Sequence, residues 1–187
     1  MKILIILGII LVFIIILAIN YYNKLVKLKG WVDESWSQID VQLIRRFDLI
    51  PNLVETAKGY AKHEQETFEK IVQARNQLLN AQQNGASREE ILEQNENLTS
   101  SLKTIFALTE SYPELKANEQ FKVLQEELIS TENKISYSRQ LYTSTAAKYN
   151  ISIKTFPMVI FANMFGFKPE TVIIAKEEAK EPVKVSF

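Results

Sequence analysis

The chain has no cysteine. That absence excludes disulfides, thiolate zinc sites, iron–sulfur ligation and cysteine nucleophiles, and it leaves the redox compartment open. A single histidine, His63, excludes any metal site built on several imidazoles. Glycine is scarce, five among 187 residues, against an average usage of about 7%. Loops that cradle phosphate and tight β-turns are built on glycine, so both are disfavoured. Neither sign of charge prevails, with Lys plus Arg and Asp plus Glu at 22 each. The basic footprint of a nucleic-acid-binding protein is missing, and no nucleic-acid partner is expected. What remains is a helical chain of a length suited to one folded domain with appendages.

The strongest local signal is an unbroken apolar run over residues 3–19, ILIILGIILVFIIILAI. At 1.5 Å per residue it spans about 25 Å, and about 30 Å when continued through Tyr22, the thickness of a bilayer's hydrocarbon layer. Tyr21 and Tyr22 then sit where interfacial aromatics prefer to be. A cleavable signal peptide is the competing reading. The run is longer than the usual ~7–15 apolar residues, and no small-x-small pattern follows it. Residues 1–23 are therefore read as an uncleaved single-pass anchor in the cell membrane, with lipid as its partner. Lys24, Lys27 and Lys29 follow the run, against Lys2 and the terminal amine before it, which leans the body toward the cytoplasm. Residues 24–187 hold 21 basic and 22 acidic side chains, so no general attraction to anionic lipid is expected of them.

The body, residues 24–150, predicts an all-α bundle of long antiparallel helices. Apolar positions recur at steps of three and four in Leu25, Leu28, Val32, Trp36, Ile39, Leu43, Phe47 and Ile50, one buried stripe of a helix that is continuous with the anchor. Pro51 then either kinks this helix or opens a new one, for which Asp48 suits the N-cap. A second stripe runs Ala57, Ala61, Glu64, Phe68, Ile71, Ala74, Leu78 and ends near Asn84-Gly85, because glycine accepts the left-handed conformation past a helix end. Ser87-Arg88-Glu89-Glu90 has the form of a capping box. The third stripe is Ile91, Asn95, Leu98, Leu102, Ile105, Thr109, Tyr112, stopped by Pro113. Asn118 caps a fourth helix with the stripe Phe121, Leu124, Leu128, Thr131, Ile135, Ser138, Tyr142, Thr145, Tyr149, a coiled-coil-like seam weakened by its polar members.

Residues 151–187 differ. The segment ISIKTFPMVIFANMFGF (151–167) is dense in aromatic and branched side chains and predicts a short helix from about Pro157 to Phe165, stopped by Gly166. Lys168-Pro169 and Glu181-Pro182 predict an extended or mobile tail over 168–187. If Pro51 ends a helix, the path runs away from the membrane, back, away and back, which returns 151–167 to the bilayer. Phe156, Phe161, Phe165 and Phe167, with Tyr21 and Tyr22, are then candidates for a membrane or subunit contact, against the plainer reading that they cap the open end of the core.

No reactive constellation emerges. His63-Glu64 begins like H-E-x-x-H, but Thr67 stands where the second ligand belongs, so His63 reads as an exposed helical histidine. There is no G-x-S-x-G, phosphate loop or dinucleotide fingerprint. Glu89, Glu90, Glu126 and Glu127 lie mostly opposite the stripes and read as solvated surface. One cluster is unusual: Asp40, Arg45, Arg46 and Asp48 crowd core positions, and Glu132-Asn133-Lys134 with Arg139 lies on the fourth helix. Half-buried charges need partners. Interhelical ion pairs that fix register are one reading of these residues; a polar site for a partner or neighbouring subunit is the other.

Taken together, Asp33-Glu34-Ser35-Trp36, the stretch IDVQLIRRFDLIPNLVETAKGYAKHE (39–64), Ala74-Arg75, ESYPELKANEQF (110–121), TENKI (131–135) with Arg139, Tyr149-Asn150, and the Phe156-Pro157 to Phe165-Gly166-Phe167 close resemble the LemA family. Thr143 departs from the pattern, since the family more often has asparagine there. The resemblance implies a bundle of long antiparallel helices behind one membrane helix. It implies no established enzymatic activity, no cofactor and no catalytic residue to carry over. The expectation is a membrane-anchored scaffold or interaction protein that forms a homo-oligomer. The alternatives are an accessory subunit of a membrane enzyme, with a membrane protein as its unknown partner, or a membrane-shaping protein.

Overall fold

The computed structural model describes residues 1–173. The part of the tail expectation that falls on 174–187 lies outside the described residues. Six helices follow one another: α1 (Lys2–Lys58), α2 (Gln65–Gln83), α3 (Arg88–Ser111), α4 (Pro113–Ala117), α5 (Glu119–Lys154) and α6 (Met158–Met164). There is no strand among the described residues. The fold is all-α, with α1 packed against α5.

The stripes are the core. Val32, Ile39, Leu43 and Ile50 on α1, Phe68, Ile71 and Leu78 on α2, Leu98, Leu102 and Ile105 on α3, and Phe121, Leu128, Ile135, Tyr142 and Tyr149 on α5 are all buried. Each such burial stabilises by roughly 1.5–3 kcal/mol. The polar members Asn95, Thr131 and Ser138 are buried with them.

Pro51 neither ends α1 nor opens a new helix, and Asp48 is not an N-cap; α1 runs through both to Lys58. Proline has no N–H to donate to the carbonyl four residues back, which here is Phe47. Arg75 of α2 supplies the missing donor, its Nε reaching the Phe47 carbonyl oxygen at 3.0 Å. The break comes eight residues later than Pro51, at residues 59–64, where Tyr60 and Ala61 both turn their N–H groups onto the Ala57 carbonyl. The predicted second helix is thereby split: Ala57 belongs to α1, Ala61 to the turn, and α2 starts at Gln65. Arg75→Ala is expected to cost about 1–3 kcal/mol by leaving the Phe47 carbonyl unpaired. In a Pro51→Ala background, where residue 51 regains its N–H, the same change is expected to cost less. Thermal unfolding of the four chains checks this coupling.

The described residues form two compact units, one of residues 1–37 with 139 onward, the other of 38–138. In the second unit α1 and α2 run antiparallel, since Asp40 meets Gln82 and Phe47 meets Arg75. Gly85 takes φ +68° after α2, Ala86 N–H returns to the Ala81 carbonyl, and Ser87 Oγ accepts from Glu90 N–H at 3.1 Å. Asn118 caps α5 by accepting from Phe121 N–H at 2.7 Å. The turn at 59–64 is fastened by Tyr112 OH donating to Glu64 (3.0 Å) and Asn118 Nδ2 donating to Tyr60 OH (2.9 Å).

In the first unit the start of α1 and the end of α5 meet at Ser35 and Thr145, whose hydroxyls lie 2.8 Å apart, and at Trp36, edge-on to Tyr142 with ring centroids 5.3 Å apart. The chain after α6 is strapped back onto α5. Tyr149 OH donates to the Lys168 carbonyl (2.9 Å), Tyr142 OH to that of Thr171 (2.8 Å), and Asn150 both donates to and accepts from the Glu170 backbone. Residues 168–171 are thus pinned along α5. Lys29 holds Asp33 and Glu170 together. Burial acts to lower the Lys29 pKa, but the two carboxylates outweigh it and the net shift is upward.

Candidate functional site

The unusual charges of α1 separate into distinct roles. Arg46 projects from α1 beside Leu43, Phe47 and Ile50 and is 2% exposed. A guanidinium taken that far out of water needs an anion and several acceptors. Its Nη1 donates to Asn95 Oδ1 at 2.6 Å and pairs with Glu132 Oε2 at 2.7 Å, and its Nη2 donates to Thr99 Oγ1 at 2.9 Å. Burial pushes the Arg46 pKa below its ordinary value, and the charge and hydrogen bond of Glu132 oppose that push. One side chain therefore ties α1 to α3 and α5.

Around this knot the other predicted residues scatter. Arg45 pairs with Glu127 at 3.0 Å on the surface. Asp40 accepts from Gln82 Nε2 at 3.3 Å. Asp48 is exposed and stands outside the cluster. Arg139, read together with Glu132 on the fourth helix, is on α5 as expected and belongs to the other unit. Asn95 and Thr99 were not picked out as site residues; an asparagine on an otherwise apolar stripe was the available signal, and Arg46 is the reason for it.

The knot is not fully satisfied. Arg46 Nε and Asn95 Nδ2 are buried without a hydrogen-bond partner. A cleft of about 200 Å3 adjoins Arg46, lined also by Thr99, Leu102, Phe106, Leu128 and Glu132. Chemically the arrangement stores a neutralised charge pair. The Thr99 hydroxyl donates to the Asn95 carbonyl at 2.9 Å and lies 3.3 Å from Glu132 Oε2. Among the described residues no group of three or more His, Asp and Glu side chains is placed to hold a metal ion, and His63 is exposed.

A second feature of the same unit lies off the stripes. Val41 on α1 and Tyr137 on α5 are 60% and 68% exposed, and with Ile129 they line a surface groove of about 660 Å3. Gln38, Gln42, Glu126, Asn133 and Lys134 are among its polar lining. Gln42 Oε1 is buried there without a partner.

The aromatic candidates of the anchor-bearing unit are brought together. Tyr21 stacks on Phe161 at 5.2 Å, and Tyr22 meets Phe165 and Phe167 edge-on at 4.9 and 5.9 Å. Phe156 stays outside these ring contacts, 77% exposed. The first part of α1 is long and apolar enough to cross a membrane, and none of that stretch is buried. A core helix would be covered; this one is consistent with a membrane anchor.

Known proteins share the pattern. The sequence profile of the LemA family matches residues 35–187. Protein LemA of Metamycoplasma hominis is 28% identical over 153 residues, 79% of this chain and 68% of that protein. Magnetosome protein MamQ of Magnetospirillum gryphiswaldense is 23% identical over 184 residues, 87% of this chain and 68% of that protein. Magnetosome protein MamQ 2 of Paramagnetospirillum magneticum matches at the same identity and coverage.

Proposed function

The chain belongs to the LemA family, and from that premise we propose that it is a membrane-anchored helical scaffold that assembles with copies of itself and has no catalytic activity of its own. The observation that carries this reading is the groove between α1 and α5, where Val41, Ile129 and Tyr137 stand in water. Exposed apolar side chains gathered in a groove mark interaction sites more often than scattered single ones do. Tyrosine is among the side chains enriched at interfaces, because it brings large apolar area with a polar tip. Polar lining residues such as Gln38, Glu126, Asn133 and Lys134 stand beside these apolar ones, the mixture that interfaces combine.

Light scattering of the detergent-solubilised full-length chain at micromolar concentration tests this. The expected protein mass is a multiple of 21.6 kDa. Joint replacement of Val41 and Tyr137 by glutamate is expected to return it to a monomer by burying charge in the contact. A strict monomer before any substitution would sink the self-assembly reading.

One observation favours a second reading, an accessory subunit of a membrane enzyme. Arg46 Nε is a buried donor without an acceptor, on a side chain that lines an open cleft. In that reading an Arg46→Met chain stays folded and loses its partner, whereas for a purely structural knot the only change is in stability.

A further inference from the structure

We propose that α6 and its flanks form a second lipid contact, lying in the interface of the bilayer that the anchor crosses and selecting anionic headgroups. Three independent observations meet there. The ring contacts of Tyr21 and Tyr22 with Phe161, Phe165 and Phe167 fix α6 at the end of the apolar run, the depth at which aromatic side chains prefer to sit. The face of α6 turned from the protein is mainly apolar, with Asn163 its one polar member. Ile160 and Met164, four residues apart and so on one side of the helix, are exposed, and Phe156 and Phe165 flank them in the same state. Meanwhile Met158 and Ala162 of the same helix are buried. Water is a poor neighbour for four large apolar groups in one patch, and the adjoining anchor already commits this unit to lipid.

Charge supplies the third observation. The neutrality of the whole chain hides an uneven partition. The described residues of the anchor-bearing unit hold eight Lys and Arg against three Asp and Glu, whereas residues 38–138 hold eleven against sixteen. Two of the three acids, Asp33 and Glu170, are engaged by Lys29. Lys24, Lys27, Lys154 and Lys168 are left exposed on the same unit. Basic side chains next to an anchor are worth about 1 kcal/mol each against an anionic leaflet. An apolar face with basic neighbours is the pattern of an interfacial segment.

The absence of native cysteine permits a direct test on the full-length chain. Ile160→Cys or Met164→Cys, both at exposed positions, is labelled with a polarity-sensitive dye, and the protein is reconstituted into nanodiscs of phosphatidylcholine or of phosphatidylcholine with phosphatidylglycerol. The expected result is blue-shifted emission and quenching by lipids brominated near the headgroup, stronger with phosphatidylglycerol and reduced by salt. Each lysine among Lys24, Lys27, Lys154 and Lys168 replaced by glutamine is expected to shift the bound-to-free ratio about fivefold. Water-like emission in both lipids overturns the contact. Equal quenching in both lipids overturns the headgroup selection. A shielded dye that brominated lipid does not quench, with ready disulfide formation between two unlabelled Ile160→Cys chains, assigns the face to a second copy and overturns the proposal. A change of oligomeric state alone leaves these readouts unaltered, so the outcome is separable from the self-assembly reading.

Discussion

Glu132→Ala is expected to cost about 3 kcal/mol of folding stability, the lower end of the range for removing one partner of a buried ion pair. Arg46→Met is expected to cost less, about 1–2 kcal/mol. The asymmetry follows from where the two charges sit. Arg46 is 2% exposed and cannot turn to water, whereas the Glu132 side chain is 34% exposed and can. Removing the carboxylate strands a guanidinium in the core with only Asn95 Oδ1 and Thr99 Oγ1 to receive it. Removing the guanidinium leaves a carboxylate that rehydrates through the adjoining cleft and a methionine stem that fills most of the vacated space. The remaining cost is the lost partner of Asn95. For a chain of this length 3 kcal/mol lowers a thermal midpoint by roughly 10 °C, which circular dichroism of the detergent-solubilised protein resolves. If Arg46→Met were the more damaging change, the knot would owe its worth to the guanidinium's own contacts and not to the burial of its charge.

The same knot shows what a linear reading can and cannot reach. The stripes were readable because burial on a helix repeats every three or four residues, and that period is written into the residues themselves. Even the misfits were informative: Asn95 occupies a core position because Arg46 needs an oxygen there. What was not readable is which charges meet. Arg46 and Glu132 were both singled out, but so were Asp48, which faces solvent, and Arg139, which falls in the other unit. Sequence adjacency cannot distinguish these cases, since contact across helices depends on the register between them.

Pro51 stays open between a kink and a new helix for a related reason. The local rule that proline breaks a helix is correct about the lost donor. It is silent on a replacement arriving at the Phe47 carbonyl from another helix, and Arg75 is that replacement. The groove lined by Val41, Ile129 and Tyr137 escaped because these residues sit off the stripes. Apolar residues on the presumed wet face of two helices were the sign of it, and their spacing alone did not show that the two faces adjoin.

Trp36→Ala is expected to be the most damaging single change in the anchor-bearing unit, at about 3–5 kcal/mol. Trp36 is buried, and its ring stands edge-on to Tyr142, which is itself fully buried. Such a pair adds about 0.5–1.5 kcal/mol beyond the area removed from water. Tyr142 does more than fill space, because its hydroxyl donates to the Thr171 carbonyl and so pins the strap that follows α6. Tyr142→Phe keeps the ring contact and loses only that hydrogen bond, for about 1 kcal/mol. Tyr142→Ala loses both, and combined with Trp36→Ala it is expected to cost less than the sum of the two separate changes by the pair's coupling energy. Fluorescence gives a second readout. The chain has two tryptophans, and Trp31 is exposed while Trp36 is buried. In Trp36→Ala the remaining emission is expected at the red, water-exposed end, and in Trp31→Phe at the blue end. A Trp36→Ala chain that melts within 1 kcal/mol, or about 3 °C, of the parent would remove Trp36 from the core and with it the packing of α1 on α5 in this unit.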